Sequence, residues 1–304
     1  MSPPAKAAKA PLAVRDGAGS AARLEVRKTY KLYIGGAFPR TESGRAYEIH
    51  GAKGELLANA CRGTRKDIRD AVRAARTVLP GWSAKTGFNR SQILYRIAEL
   101  MEGRRDQFVQ ELEAFGAKNA DREVEAAIDR WVWYAGWSDK VHHVMGTVNP
   151  VAGPYFNFTF PESTGVVGVV APEEPALLGL VSRIAPAVVS GNALVVIASE
   201  SRPLAAVTLS EVLATADVPP GIINVVTGLK KELLPWLASH MDVNAVDLTG
   251  APDHLVAELE QAAASNVKRV VQDGAVDYFD DAAQSPYAIT ALMEMKTVWH
   301  PMGA

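Results

Sequence analysis

Cysteine is nearly absent: Cys61 stands alone in 304 residues. A lone thiol closes no internal disulfide and completes no CxxC metal site, which points to a reducing compartment and, by default, the cytoplasm. Excess charge of one sign is missing as well. The chain carries 32 basic against 34 acidic side chains, a formal net charge of −2. Nothing therefore drives it toward nucleic acid or an anionic membrane, because both need clustered Lys and Arg. Long apolar runs are lacking too, since the most apolar stretch, 165–198, is broken by Glu173, Glu174 and Arg183 before the roughly 18 uncharged residues of a membrane span. The first 25 residues scatter Lys6, Lys9, Arg15 and Arg23 among Ala, Gly and Pro with no continuous apolar core. They read as a disordered tail, taken to residue 28, and not as a signal peptide. What is present, 48% hydrophobic and 22% charged residues, is the composition of a soluble globular protein of two domains.

Order begins near Lys31, with Leu32, Tyr33 and Ile34 as a short strand closed by Gly35-Gly36. A helical part follows over 29–145. Thr64 and Asp67 have capping-box spacing, and Ile68, Val72, Ala75 and Leu79 recur at helical intervals until Pro80 stops the run. A second helix uses Ile93, Ile97, Leu100, Met101 and Phe108, and a third runs from about Arg122 to His142. Its Trp131, Trp133, Tyr134 and Trp137 fit core or interface better than a stacking platform. Over 146–164, Phe156, Phe158 and Phe160 alternate with Asn157 and Thr159, the period of a strand with one apolar face, and Val148 and Val151 before them suggest an extended hairpin.

From Gly165 strands and helices alternate. Strands are expected at 165–171, 193–198, 222–226, 245–248 and 270–272, with helices to Ser190, to Ala216, over 231–239 and over 253–264. Short apolar strands separated by helices imply right-handed crossovers and an α/β, doubly wound parallel sheet. Ligands of such sheets sit at the carboxyl ends of the strands, here 171–176, 197–203, 227–232 and 248–254. Glu173-Glu174, at the expected start of a helix, read as complements to its dipole in preference to an acid/base pair. Asp273, Asp277, Asp280 and Asp281 lack the spacing and distal Glu of a calcium loop and read as a solvated linker. His142-His143 point to different helix faces and suit no single metal.

Several of these segments resemble the aldehyde dehydrogenase superfamily, in its order and spacing. Pro154-Tyr155-Phe156-Asn157-Phe158-Thr159 leading into Gly165-Val166-Val167-Gly168 is similar to the family's oligomerisation hairpin and first nucleotide-domain strand. Ile184-Ala185-Pro186-Ala187 with Gly191-Asn192, then 218–228, Thr249-Gly250 and 265–270, resemble its cofactor domain. Lys296-Thr297-Val298-Trp299 resembles its terminal strand. The resemblance implies a Rossmann-like core over 165–272. It also implies assembly through the 146–164 hairpin, with Phe156, Phe158 and Phe160, and through 287–304, with Lys296, Thr297, Val298 and Trp299.

The departures are as informative as the matches. Where the family places a catalytic domain of roughly 150 to 200 residues, an ordinary domain size, this sequence has the linker 273–286. The family's nucleophilic cysteine lies in that domain, and Cys61, far in sequence from the nucleotide loops, does not replace it. The family's Pro-Trp-Asn-Phe-Pro loop reads Pro172-Glu173-Glu174-Pro175-Ala176, putting Glu174 where an amide donates to the oxyanion; a carboxylate only accepts. Lys-Pro-x-Glu reads Ile197-Ala198-Ser199-Glu200, a pyrophosphate-binding serine is Ala251, and the glycines after Thr227-Gly228 are replaced by Leu229-Lys230-Lys231-Glu232, whose lysines offer phosphate only a weak attraction. Glu200, Gly228, Thr249 and Gly250 survive as a degenerate cofactor site. The expectation is a pseudoenzyme without catalytic residues, metal or cofactor, a subunit that joins a full-length aldehyde dehydrogenase or its own copies. The alternative is an NAD(P)-dependent oxidoreductase or a nucleotide-sensing subunit with residual cofactor binding.

Overall fold

The computed structural model describes residues 27–303. The expected disordered tail lies outside them, apart from its last two residues, of which Lys28 pairs with Glu211 at 3.2 Å. The chain runs β1 (Thr29–Tyr30), β2 (Ala46–His50), β3 (Leu56–Cys61), α1 (Arg65–Ser83), α2 (Gly87–Glu102), α3 (Arg105–Ala114), α4 (Ala120–Trp137) and α5 (Val141–Met145). It continues through β4 (Thr147–Asn149), β5 (Tyr155–Ser163), β6 (Val166–Val170), α6 (Leu178–Val189), β7 (Ala193–Ile197), α7 (Leu204–Leu213) and β8 (Ile223–Val226). The last elements are α8 (Lys230–Ser239), β9 (Ala245–Asp247), α9 (Asp253–Ala264), β10 (Arg269–Val271), α10 (Pro286–Thr290) and β11 (Met293–Pro301).

The centre is a parallel sheet in the order β10-β9-β6-β7-β8. Strands β6 and β7 are continuous apolar runs because helices cover both faces, so neither face needs a polar alternate. Helices α1 and α8 lie on one face. On the other lies α6, buried over its whole length because α2 and α4 close over its outer side. Its amino terminus is capped by Glu123, whose Oε1 accepts from the N–H groups of Leu177 (2.8 Å) and Leu178 (3.3 Å). Glu173 and Glu174, read from sequence as the complement of this dipole, precede the helix and do not cap it.

The helical part differs from its sequence pattern in three places. Pro80 does not stop α1: the helix continues one turn to bury Trp82, whose indole N–H donates to the Val188 carbonyl at 3.2 Å. The pattern assigned to one helix through Phe108 is two, α2 and α3, divided at Gly103, and the pattern running to His142 ends at Trp137, before the separate α5. There Ser138 turns its hydroxyl to the Gly87 carbonyl at 2.8 Å. The capping box at Thr64 and Asp67 is present. Trp131 and Tyr134 are fully buried, with Trp133 and Trp137 packed against the core. The part is not wholly helical, since β1, β3 and β2 form a small sheet that periodicity did not reveal. Residues 32–34 form no strand of their own but bridge Tyr33 to Val225 at the edge of β8.

The hairpin is formed by β4 and β5, and β11 pairs antiparallel with β5 through nine residues, from Met293↔Ser163 to Pro301↔Tyr155. The terminal strand is thus held by its own chain, in the sheet order β11-β5-β4. Two side chains tie this sheet to the core. Arg269 of β10 donates to the Met293 carbonyl at 2.6 Å and pairs with Glu294 at 3.0 Å. Buried Asn192 accepts from the Gly165 N–H at 2.8 Å and donates to the Leu292 carbonyl at 2.9 Å.

Segment 273–286 keeps its four aspartates exposed, as expected of a solvated linker, but is tied to the core at two points. Asp273 ion-pairs with the buried Arg183, and Arg130 donates to the Tyr278 carbonyl at 2.9 Å. Burial pushes Arg183 down, but Asp247 and Asp273 outweigh it and hold the guanidinium above its ordinary range. No helix among the described residues is long and apolar enough to cross a membrane.

Replacing Asn192 by Ala strands the Gly165 N–H and the Leu292 carbonyl in the core, so urea unfolding should show a loss of about 2–4 kcal/mol. A loss below about 0.5 kcal/mol would mean that this amide does not anchor the terminal sheet.

Candidate functional site at the carboxyl ends of the parallel strands

From β6 the chain winds outward through β7 to β8, then returns to place β9 on the other side of β6. The winding therefore reverses between β6 and β9, where an open parallel sheet presents its ligand crevice. The Ala171 and Gly250 carbonyls flank this point, and both are taken by one group: the Lys230 Nζ donates to each at 2.8 Å. Lys230 is the first residue of α8, at the far end of β8, and its side chain lies buried across the strand ends.

The third partner of the ammonium is Glu173, with Oε1 at 2.5 Å. The same carboxylate accepts from the Ser199 hydroxyl (2.6 Å), the Ser201 hydroxyl (2.6 Å) and the N–H groups of Glu200 (3.0 Å) and Ser201 (3.1 Å). Burial pushes its pKa up, but Lys230 and the two serines outweigh burial and hold it at about 2, from an ordinary 4.5. Glu200 closes the ring, its Oε2 accepting from the Lys230 backbone N–H at 2.6 Å. Lys230 thus does not stand free to attract phosphate; it is a structural cation joining the ends of β6, β7, β8 and β9.

The other expected site residues are equally engaged within the chain. Gly228, at φ +150°, lets the turn before α1 approach: a Cβ there would meet the Gly63 nitrogen at 2.9 Å. A Cβ on Gly250 would meet the Ala171 carbonyl at 2.4 Å. Thr249 accepts from the Asp273 N–H through its hydroxyl at 3.1 Å. Glu174, expected at an oxyanion position, is exposed and ion-paired to Arg202. Cys61 is closer to the site than its sequence position suggested, its carbonyl accepting from the Thr227 hydroxyl at 2.7 Å, but it is buried. Among the described residues no group of three or more His, Cys, Asp or Glu side chains is placed to hold a metal.

Sequence reasoning missed Lys230 as the centre of the site. The available signal was a pair of departures, an acidic residue in the loop after β6 and a lysine after β8, which complement each other only if both loops converge.

A sequence profile described as the aldehyde dehydrogenase family matches residues 39–275. The chain belongs to the aldehyde dehydrogenase family. Among curated relatives, aldehyde dehydrogenase family 2 member B4, mitochondrial, from Arabidopsis thaliana is 34% identical over 248 residues, covering 79% of this chain and 45% of that protein. Omega-crystallin from Nototodarus sloanii is 30% identical over 250 residues, covering 80% and 50%. The NAD+ complex of an aldehyde dehydrogenase from Bacillus cereus superposes with a TM-score of 0.75 at 26% identity, over 80% of this chain and 50% of the other. The NAD-dependent aldehyde dehydrogenase from Sinorhizobium meliloti does so with 0.75 at 25% identity, over 83% and 51%. The chain spans about half the length of the curated relatives it matches, and its α/β fold with a Rossmann-like sheet is that of the family's nucleotide-binding portion.

Replacing Lys230 by Ala leaves Glu173 among desolvated partners without its cation. The expected cost at pH 7 is about 2–3 kcal/mol, below that of a fully buried pair because the Glu173 side chain is 40% exposed. Since the folded pKa lies below the unfolded value, the wild-type contribution is complete above about 4.5 and fades as pH falls toward 2. The penalty should therefore shrink between pH 7 and pH 3 in urea titrations, and an equal penalty at both would show that the Glu173 charge plays no part.

Proposed function

We propose that this chain is a non-catalytic aldehyde dehydrogenase-like subunit that assembles with a full-length aldehyde dehydrogenase, in a scaffolding or regulatory role. The observation that carries the reading is the Lys230 ammonium in the crevice between β6 and β9, bonded to two carbonyls and Glu173. A dinucleotide laid at this point needs small residues and free N–H groups at the strand ends. Here the first position of α8 carries a buried lysine, and the Lys230 N–H is already taken by Glu200. The residues present do not fit NAD(P). The nucleophile is wanting too, because the only thiol is the buried Cys61.

Assembly is supported by the β4–β5–β11 sheet. One face carries an aromatic ladder, Phe156 and Phe158 with ring centres 5.4 Å apart and Phe158 and Phe160 at 6.0 Å. The other carries the Tyr155–Trp299 contact at 5.8 Å. Lys296 pairs with Glu162 at 2.8 Å, and the Thr297 hydroxyl meets that of Thr159 at 2.8 Å. Val298 lies opposite Phe158. The outer edge of β11 is unpaired, a template for a strand of a neighbouring chain. We take a full-length relative as that neighbour; a second copy of this chain, which offers the same edge, would pair with it about a twofold axis.

Native mass spectrometry of the tagged chain, co-expressed with a full-length aldehyde dehydrogenase of its own host, tests this. A discrete complex is expected, lost on replacing the exposed Phe156 and Trp299 by Asp. A stable monomer that ignores the relative would overturn the reading.

A further inference from the structure

A second feature lies on the outer side of the sheet, where α1 and α8 pack together. Two adjoining hollows there share Arg65 and Trp236. The first, of about 520 Å³, is mainly apolar, with Ile68, Trp236 and Met241 in its wall. The second, of about 410 Å³, is lined by Arg45, Arg65 and Lys231. Between them the Arg65 guanidinium lies 4.4 Å from the centre of the Trp236 ring. Trp236 is 43% exposed, which leaves part of its ring surface open to the hollow.

The charges are just as selective. At the rim Lys66 is paired with Glu42 and Arg69 with Asp70. Glu232, the one carboxylate in the second hollow, is held by Arg62 through both oxygens. No ion pair among the described residues engages Arg45, Arg65 or Lys231. Three cations that no ion pair takes up thus meet next to an apolar hollow of ordinary ligand-site size. Arg62 does most to lower the Glu232 pKa, and Arg45 and Lys231 are near enough to that carboxylate to lower it further. A guanidinium stacked on an indole is already ordered and keeps its N–H edge for a planar, bidentate acceptor such as phosphate.

We propose that this groove binds an aromatic phosphate of the nucleoside phosphate class, the ring in the apolar hollow beside Trp236 and the phosphates among Arg45, Arg65 and Lys231. The site is separate from the crevice of the parallel sheet. Lys230 turns inward to close that crevice while its neighbour Lys231 lines the groove.

Calorimetric titration of the whole chain with ADP, adenosine and inorganic phosphate tests the proposal. ADP should bind more tightly than either fragment. Trp236→Ala should weaken ADP roughly tenfold, as expected for loss of one base-stacking surface, and Lys231→Glu should weaken it and flatten its dependence on salt. Both positions are exposed, so thermal melting of the variants should match the parent. No heat with ADP at millimolar concentration, or ADP binding unchanged in both variants, would overturn the proposal. So would phosphate binding as tightly as ADP, since the ring would then contribute nothing.

Discussion

A single ammonium group organises the carboxyl end of this sheet. Ions are costly to bury and are tolerated only where every donor finds an acceptor. Lys230 meets that condition with the two carbonyls at the reversal of the winding and with Glu173, whose carboxylate is in turn fixed by Ser199, Ser201 and two backbone N–H groups. The loops after β6, β7, β8 and β9 therefore share one network. In an open parallel sheet this is where a ligand would supply the bridging contacts; here the chain supplies them itself.

The same logic extends outward. Arg183 answers Asp247 at the end of β9 and Asp273 beyond β10, so the short segment leading to α10 and β11 is anchored by charge. Asn192 then secures the start of β11, which extends along β5 for nine residues. The result is a chain whose strand ends and terminal segment are tied by its own side chains, with part of its exposed apolar surface on the β4–β5–β11 sheet and at Trp236.

Most of the parallel core was legible in the sequence because its signals are local. The apolar runs of β6 and β7 and the periodicity of α9 lie within a residue of their observed bounds, and the Thr64 capping box formed as spaced. What was illegible depends on contacts distant along the chain. Pro80 sits inside α1 because Trp82 gains a buried partner on α6, and Glu123, two helices away, caps α6 in place of Glu173. Cys61 lies beside Thr227 although 166 residues separate them. Glu200, Gly228, Thr249 and Gly250 do gather at the strand ends, but their partners proved to be other parts of the chain. Lys230 stands out in the sequence but its destination does not, since nothing local specifies where a four-carbon stem will place its charge.

The most direct measurement is calorimetric titration of NAD+ into the Trp236→Ala, Lys231→Glu double variant, whose outer groove lacks both its stacking surface and one of its phosphate cations. A crevice closed by Lys230 takes up no NAD+, and no heat of binding appears up to millimolar concentration. Stoichiometric binding at micromolar concentration would mean that the lysine yields to the dinucleotide, and the reading of a closed crevice would be wrong.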